Sequence, residues 1–422
     1  MRRSGAGSIL VVALVVAASL TTRLWWEITA GVFVLKEYDD GVYYRAAVLL
    51  QEGGALYRDQ VFVHPPGLPL LLLPTAWLGE GVGDSWGFVL ARALLVVVST
   101  AVAVGLTLHI RRIAGLAGGL ASGLLYAVHP CVVVAGDTVL MEPFIDAATL
   151  VAVVVLTVPG MRRAVVAGVA LGLAGSVKLW AAVPAAVLTV LLLVERRVTQ
   201  AVALAGGAVV ASAIVLALAV RAPAAAWEQI VLTQLGREPD GVLGLGPRLT
   251  FLSGTWSLPR PWGVLVVLIG ATASVAVAVG VLRKGPRVLL AWPTLAAVWG
   301  VLLLVTPTFW PHYGSVLVLP VAACAGVTIG WAIRPLPDSL GGRLGAALVA
   351  TGPAALVLVA SWGAYPWSER PLLVTSTQGA CLASATPGEQ ALADAVPERV
   401  ADCVSPLDPY GVQTLAEKQG AG

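Results

Sequence analysis

The sequence predicts an all-α polytopic membrane protein, and three observations predict it. Of its 422 residues, 58% are hydrophobic and only 12% are charged, where a soluble protein carries about 25% charged residues. Mean hydropathy is +0.88. Apolar segments of roughly 20 residues, the length that crosses about 30 Å of hydrocarbon, recur from end to end. A soluble enzyme, a disordered regulator and a nucleic-acid binder are all excluded. The lipid bilayer is the first partner, no nucleic acid is expected, and the net charge of +3 matters less than its distribution.

The spans fall at about 8–27, 86–109, 114–134, 143–159, 164–177, 179–194, 198–221, 262–282, 288–305, 315–333 and 344–362, eleven in all. The pair 164–177 and 179–194 is short and reads alternatively as one tilted helix; Gly175, Lys178 and Pro184 argue for a break. Basic residues orient the chain. Arg2, Arg3, Arg111, Arg112, Arg162, Arg163, Arg196, Arg197, Arg283, Lys284, Arg287, Arg334 and Arg343 share one face, half of the 26 basic residues. The N-terminus is therefore expected inside, the C-terminus outside, and the protein in the plasma membrane. A cleaved signal peptide ending near Ala17-Ala18-Ser19 is the alternative for the first span. Trp25 and Trp26 extend that apolar run as an interfacial belt would.

Residues 1–362 form the expected transmembrane domain and 363–422 an outer C-terminal tail. The first outer loop, 28–85, holds EYDDGVYYRAAVLLQEGGALYRDQ and then VFVHPPGLPLLLLPTAW. Val42, Ala46, Leu49 and Leu50 at helical spacing predict an amphipathic helix over 41–51 lying on the membrane. The run 68–78 is too short to span and is expected in the interface. The segment 222–261 contains a second amphipathic stretch, AWEQIVLTQLGRE. Cys131 and Cys324 sit in apolar spans as core residues. Cys381 and Cys403, in the outer tail, are expected to form a disulfide. It would close a loop of about 22 residues, worth about 3 kcal/mol in the chain-entropy model. The tail reads as a small mixed or extended appendage.

On this topology a set of ionisable residues falls on the outer side. Asp39 and Asp40 follow the first span, and Asp137 and Glu142 bracket the turn GDTVLMEPF. Lys178 interrupts an apolar run, His64 precedes Pro65-Pro66, and His312-Tyr313 lies in FWPHYGS. Ionisable groups near membrane depth are costly and default to a functional hypothesis. Each also has a structural reading. The aspartates are good helix caps, Asp137 and Glu142 suit a solvated loop, the histidines suit a packed turn, and Lys178 could snorkel.

The pattern D-D-x-x-Y at Asp39, Asp40 and Tyr43 is followed by G-x-x-x-Y-R-D at Gly53, Tyr57, Arg58 and Asp59, and then by H-P-P-G from His64. This order resembles the first outer loop of C-type (GT-C) glycosyltransferases. The nearest in kind are actinobacterial mannosyltransferases dependent on polyprenyl-phosphate-mannose and the related protein-mannosyltransferase-like proteins. MEPF at 141–144 and GLAGSVKLW at 172–180 resemble that group's second acidic turn and its lysine turn. The resemblance covers about 1–200; beyond that it rests on topology and on His312-Tyr313.

It implies a polyprenyl-phosphate-sugar donor, with mannose first and arabinose next, and a glycan, glycolipid or protein acceptor. The family's base is an outer-loop acid, which Asp39 matches because Tyr43 stands four residues on. Many members have Asp-Glu where this chain has Asp39-Asp40, so Asp40 stays a candidate. Carboxylate removal of the acceptor proton suits a poor hydroxyl nucleophile, and the leaving phosphate needs positive charge. Lys178 would supply it, with Arg58 or His64. Glu142 and Asp40 would orient the acceptor or hold a divalent cation, Mg or Mn, through oxygen ligands. No Walker loop or GxGxxG is present, so ATP or nucleotide-sugar use has no support. A transporter or lipid-linked sugar flippase is the rival from another class. Such folds show inverted repeats and midplane charges, whereas no repeat is visible here and the acids cluster at one surface. A non-catalytic sugar-lipid binding subunit is a third reading, under which the Asp39 side chain is dispensable.

Overall fold

The computed structural model describes residues 3–235, 243–284, 287–336, 339–361, 384, 386–399, 403 and 405–418. Among them the architecture is helical throughout, as the apolar periodicity requires. Helix α1 (Arg3–Ala30) is the first apolar helix, and α2 (Tyr38–Gln51) and α3 (Gly67–Val82) build the long connection that follows it. Then comes α4 (Asp84–Val128), of 45 residues. Straight, it would be about 68 Å long, twice the hydrocarbon thickness. It folds back instead at Gly115, whose φ of 84° and ψ of −177° break the helix. The two arms pack against each other so closely that a Cβ on Gly119 would meet the Thr107 carbonyl oxygen at 2.7 Å. These arms overlap the spans predicted at 86–109 and 114–134.

The span predicted at 114–134 is not continuous. His129, extended ahead of Pro130, separates α4 from the short α5 (Pro130–Asp137), as the residue before a proline tends to do. Helix α6 (Glu142–Leu156) follows at a bend of 111°. The turn between them is buried, with Asp137 wholly enclosed, so the reading of Asp137 and Glu142 as solvated loop acids does not hold.

Helix α7 (Met161–Val177) ends at Lys178, whose backbone is extended (φ −148°, ψ 132°). A short 3-10 turn leads into α8 (Ala182–Val194), so the break expected at Lys178 is present. Helix α9 (Val198–Ala219) packs along α7. Gly168 and Gly172 permit that approach, since a Cβ on either would lie within 2.2 Å of an α9 carbonyl oxygen. Small residues at i and i+4 are the usual device for close helices in lipid.

The second segment expected outside holds α10 (Pro223–Trp227), a π turn, α11 (Thr233–Leu235) and α12 (Leu245–Ser253). The remaining long helices are α13 (Arg260–Lys284), α14 (Ala291–Val305), α15 (Ser315–Ala332) and α16 (Leu340–Ser361). Seven helices among the described residues are long and apolar enough to cross a membrane, or eight if α5 and α6 form one broken span. The protein is thus an all-helical polytopic membrane protein.

Two apolar cores form. One lies among the spans and includes Trp292, Phe309 and Tyr313. The other lies among α2, α3, the start of α4 and the C-terminal segment, and includes Tyr43, Phe62, Phe88 and Leu407. Helix α2 therefore does not lie on a surface with one polar face, as its sequence suggested. It is buried continuously from Asp40 to Leu49. Its charged residue Arg45 is 0% exposed because Glu398, from far along the chain, pairs with it at 3.0 Å. Helix α3 is one-sided, with Leu72 and Ala76 inward and Leu71, Trp77 and Leu78 exposed.

The described tail forms α17 (Pro387–Leu392) and α18 (Pro409–Lys418). Cys403 is disulfide-bonded, and its expected partner Cys381 lies outside the described residues. Cys131 and Cys324 are free and buried.

Candidate active site

A cavity of about 330 Å³ opens where the two cores meet. Its lining includes Asp39, His64, Lys178, His312 and Tyr313. These five come from four stretches of sequence, and each reaches the cavity for a local reason. Asp39 stands in the first turn of α2, where the chain turns back after α1. Lys178 is the break residue between α7 and the 3-10 turn. His312 and Tyr313 sit on the 3-10 turn Pro311–Gly314 that starts α15. His64 precedes the proline pair leading into α3.

Asp39 is half-buried and accepts a hydrogen bond from the Tyr43 hydroxyl at 3.3 Å. The four-residue spacing puts both on one helix face. Burial pushes the Asp39 carboxyl up to about 6; the neighbouring charges of Asp408 and Glu37 add to that, while His312 and Lys178 oppose it. A base near the operating pH is the favourable case for general-base catalysis. Burial also raises the Tyr43 phenol well above its ordinary value, so it stays a donor.

Lys178 Nζ lies 2.5 Å from Glu142 Oε1. It stands over the rings of Trp180 and Tyr313, 4.6 and 4.4 Å from their centroids. An ammonium has three protons, so one bond to Glu142 leaves capacity for a further anion at the cavity. Glu142 itself stands behind Lys178, 1% exposed, and does not line the cavity. Its place fits holding the lysine, not meeting an acceptor.

Besides Glu142, three expected site residues do not line the cavity: Tyr43 (which reaches it only through Asp39), Asp40 and Arg58. Asp40 points away from it and forms a buried pair with Arg92, at 2.7 and 3.1 Å. Successive residues on a helix differ by about 100° in direction, so only one of the two aspartates can face the site. Nor does Asp40 cap α2, since the N-cap is Glu37. Arg58 is exposed and pairs with its neighbour Asp59 at 2.7 Å. Asp137, read as a loop acid, pairs with Lys36 at 2.7 Å, and Lys36 also contacts Glu27.

Other lining residues were not singled out from the sequence: Glu37, Tyr38, Trp310, Asp408, Tyr410 and Thr414. Glu37 and Trp310 flank the motifs and were within reach of a wider reading. The tail residues had no local signal. Among the described residues, no group of three or more His, Cys, Asp or Glu side chains gathers to hold a metal ion. Asp40 and Glu142, the oxygen ligands expected for a divalent cation, pair instead with Arg92 and Lys178.

This geometry can be set beside known proteins. No curated protein matches the chain by sequence. Among solved structures, the chain is similar to ArnT from Cupriavidus metallidurans bound to undecaprenyl phosphate. The TM-score is 0.60 at 17% identity, over 92% of this chain and 77% of that one. It is also similar to the archaeal oligosaccharyltransferase AglB from Archaeoglobus fulgidus, in complex with an inhibitory peptide and a dolichol-phosphate. There the TM-score is 0.54 at 13% identity, over 88% of this chain and 57% of that one. At such identities the likeness shows a shared fold. The family model described as glycosyltransferase family 87 matches residues 62–307. That match spans more than half of the sequence: the chain belongs to glycosyltransferase family 87 and is a membrane glycosyltransferase of the GT-C superfamily.

Proposed function

We propose that the protein transfers a sugar from a polyprenyl-phosphate carrier to an extracytoplasmic acceptor, with inversion, mannose being the first candidate and arabinose the second. The observation that carries this reading is one cavity shared by a raised-pKa carboxylate, Asp39, and a buried ammonium, Lys178. Support for the lipid carrier comes from the two proteins of shared fold named above, whose structures hold undecaprenyl phosphate and dolichol-phosphate. We place the cavity on the outer face of the plasma membrane, with eleven spans, N-terminus inside and C-terminus outside, on the charge distribution of the loops.

The steps follow from the residues. Asp39 removes the proton from the acceptor hydroxyl. The oxygen attacks the anomeric carbon from the face opposite the phosphate, and the bond from that carbon to the phosphate oxygen breaks. The electron pair leaves on the phosphate, where Lys178 stabilises the developing charge. The proton ends on Asp39. His312 and Tyr313 close the wall beside Lys178, and Tyr43 holds the Asp39 carboxylate in place.

The test is turnover by purified protein in nanodiscs. Polyprenyl-phosphate-mannose and polyprenyl-phosphate-arabinose are supplied with a pool of envelope glycolipids and glycans. Product from one donor, lost in Asp39→Asn, supports the reading. No product from either, together with uptake of the lipid-linked sugar by proteoliposomes, would favour the flippase instead.

A further inference from the structure

We infer that residues 408–414 of the C-terminal segment form the acceptor side of this cavity and select a carbohydrate hydroxyl, with Asp408 receiving a hydrogen bond from it. The inference rests on the reading of Asp39 as base, and it chooses among the acceptor classes that reading leaves open.

The segment is docked firmly enough to be part of a site. Gly41 of α2 and Gly388 of α17 meet backbone to backbone, so that a Cβ on Gly41 would lie 2.0 Å from the Gly388 nitrogen. Arg45 donates to Glu398 at 3.0 Å and to the Pro406 carbonyl at 2.9 Å. The Leu407 amide donates to Gln60 at 3.0 Å. The last link is at the cavity itself. Tyr38, next to the base, donates its hydroxyl to Asp408 Oδ1 at 3.0 Å and accepts from the Tyr410 amide at 2.9 Å. The Gly411 amide also donates to Asp408 Oδ1, at 2.8 Å. The start of α18 is thus fixed beside Asp39, and Thr414 lies one turn further along the same wall.

The two walls differ in charge. Lys178, with Trp180 and Tyr313 around it, makes one wall cationic. Asp408 makes the tail wall anionic, and the charges of both groups reach Asp39 between them. A phosphate is repelled by the tail wall, whereas a neutral hydroxyl finds an acceptor there. The same cavity is lined by Thr233, Thr414 and Gln234 and by the aromatic residues Tyr410 and Trp310. Carboxylate, amide and hydroxyl groups match the hydroxyls of a sugar ring, and aromatic faces match its C–H faces. A peptide would instead need a sheet edge or a long groove for its backbone. The cavity, at about 330 Å³, is at the small end of ligand sites and suits a compact acceptor.

The experiment uses the full chain in nanodiscs with mannobiose as the acceptor probe. Binding is read by saturation-transfer NMR without donor, and transfer by the acceptor KM. The wild type should bind mannobiose. Asp408→Asn and Thr414→Trp should each lose the binding signal or raise the acceptor KM at least tenfold, with the donor KM moved less than twofold. Thr414→Trp guards against a folding artefact, because the Thr414 hydroxyl donates to the Tyr410 carbonyl of its own helix and takes no part in the docking contacts named above. No binding by the wild type, or unchanged binding in both variants, would overturn the inference. Mannobiose binding through the tail without transfer from any polyprenyl-phosphate donor would uphold the tail site and overturn the donor reading.

Discussion

Glu142 and Lys178 meet at 2.5 Å across 36 residues of sequence, one at the start of α6 and the other just past the end of α7. Side-chain exposure is 1% for the acid and 10% for the lysine. Breaking a buried pair by removing one partner costs about 3–5 kcal/mol, mostly from the charge left behind. Lys178→Ala should therefore lower the melting temperature as well as raise the donor KM. The double variant Glu142→Gln/Lys178→Ala removes the stranded carboxylate, so it should melt higher than Lys178→Ala alone while remaining as poor an enzyme. Thermal melts and donor kinetics on the three variants check this. A double variant less stable than Lys178→Ala would refute the coupling.

Asp39 should act as a base with a limb in the pH profile. Its raised value means that the carboxylate form, the active one, is lost as pH falls through about 6. The kcat/KM for transfer should fall tenfold per pH unit below that limb and level off above it. Asp39→Asn should reduce turnover by about 10²–10⁴-fold, the usual span for general-base catalysis, while donor binding largely survives. A flat profile from pH 5 to 8 in the wild type would count against this assignment.

Asp40 should behave as a structural residue. It is 0% exposed and bonded to Arg92, which also donates to the Val34 carbonyl at 2.9 Å and so fixes the entry into α2. Asp40→Asn should lower stability by about 3–5 kcal/mol, yet leave the pH limb of the surviving folded enzyme in place. If Asp40→Asn abolishes transfer in folded protein and Asp39→Asn does not, the roles of the neighbours are reversed.

How far the sequence reaches is clear from these two aspartates. That an acid after α1 borders a cavity was legible, because charge beside apolar spans is conspicuous. Which acid does so depends on where Arg92 lies, a tertiary fact that spacing cannot supply. The same limit hid the tail. Tyr38 and Asp408 stand 370 residues apart, and nothing local in either marks the contact. The break inside the long apolar run of α4, by contrast, was readable from length alone, and the break at Lys178 from the cost of a cation in an apolar run. Asp146, an acid inside the predicted span 143–159, carried the general signal of an intramembrane charge, and its partners appear only in the fold.

The outer-face topology proposed above makes a labelling prediction. Single cysteines near Arg162 and Arg283 should be shielded from an impermeant thiol reagent in intact cells. One at Gly244, exposed in the second outer segment, should react. The reverse pattern would put Asp39 on the inner face and exclude an outward-facing donor site.

The last prediction concerns Asp146, which lies one turn along α6 from Glu142 and so on the same face. Its Oδ2 accepts from the Ser315 hydroxyl at 2.6 Å and the Tyr126 hydroxyl at 2.8 Å, and the residue is 1% exposed. Ser315 directly follows the turn that carries His312 and Tyr313. The turn has little room to drift, because a Cβ on Gly314 would lie 2.6 Å from the Cys131 sulfur. Asp146 therefore ties the helix bearing Glu142 to the turn that covers Lys178, and acts as a positioning residue. Asp146→Leu should lower kcat and raise the donor KM together, since Tyr313 would lose its register over Lys178. Ser315→Ala should do the same more weakly. Residues sharing one network show coupling of about 0.5–3 kcal/mol, so Asp146→Leu/Ser315→Ala should be no worse than Asp146→Leu. Strictly additive effects on kcat/KM, or a loss of melting temperature with unchanged kinetics, would reduce Asp146 to a packing role.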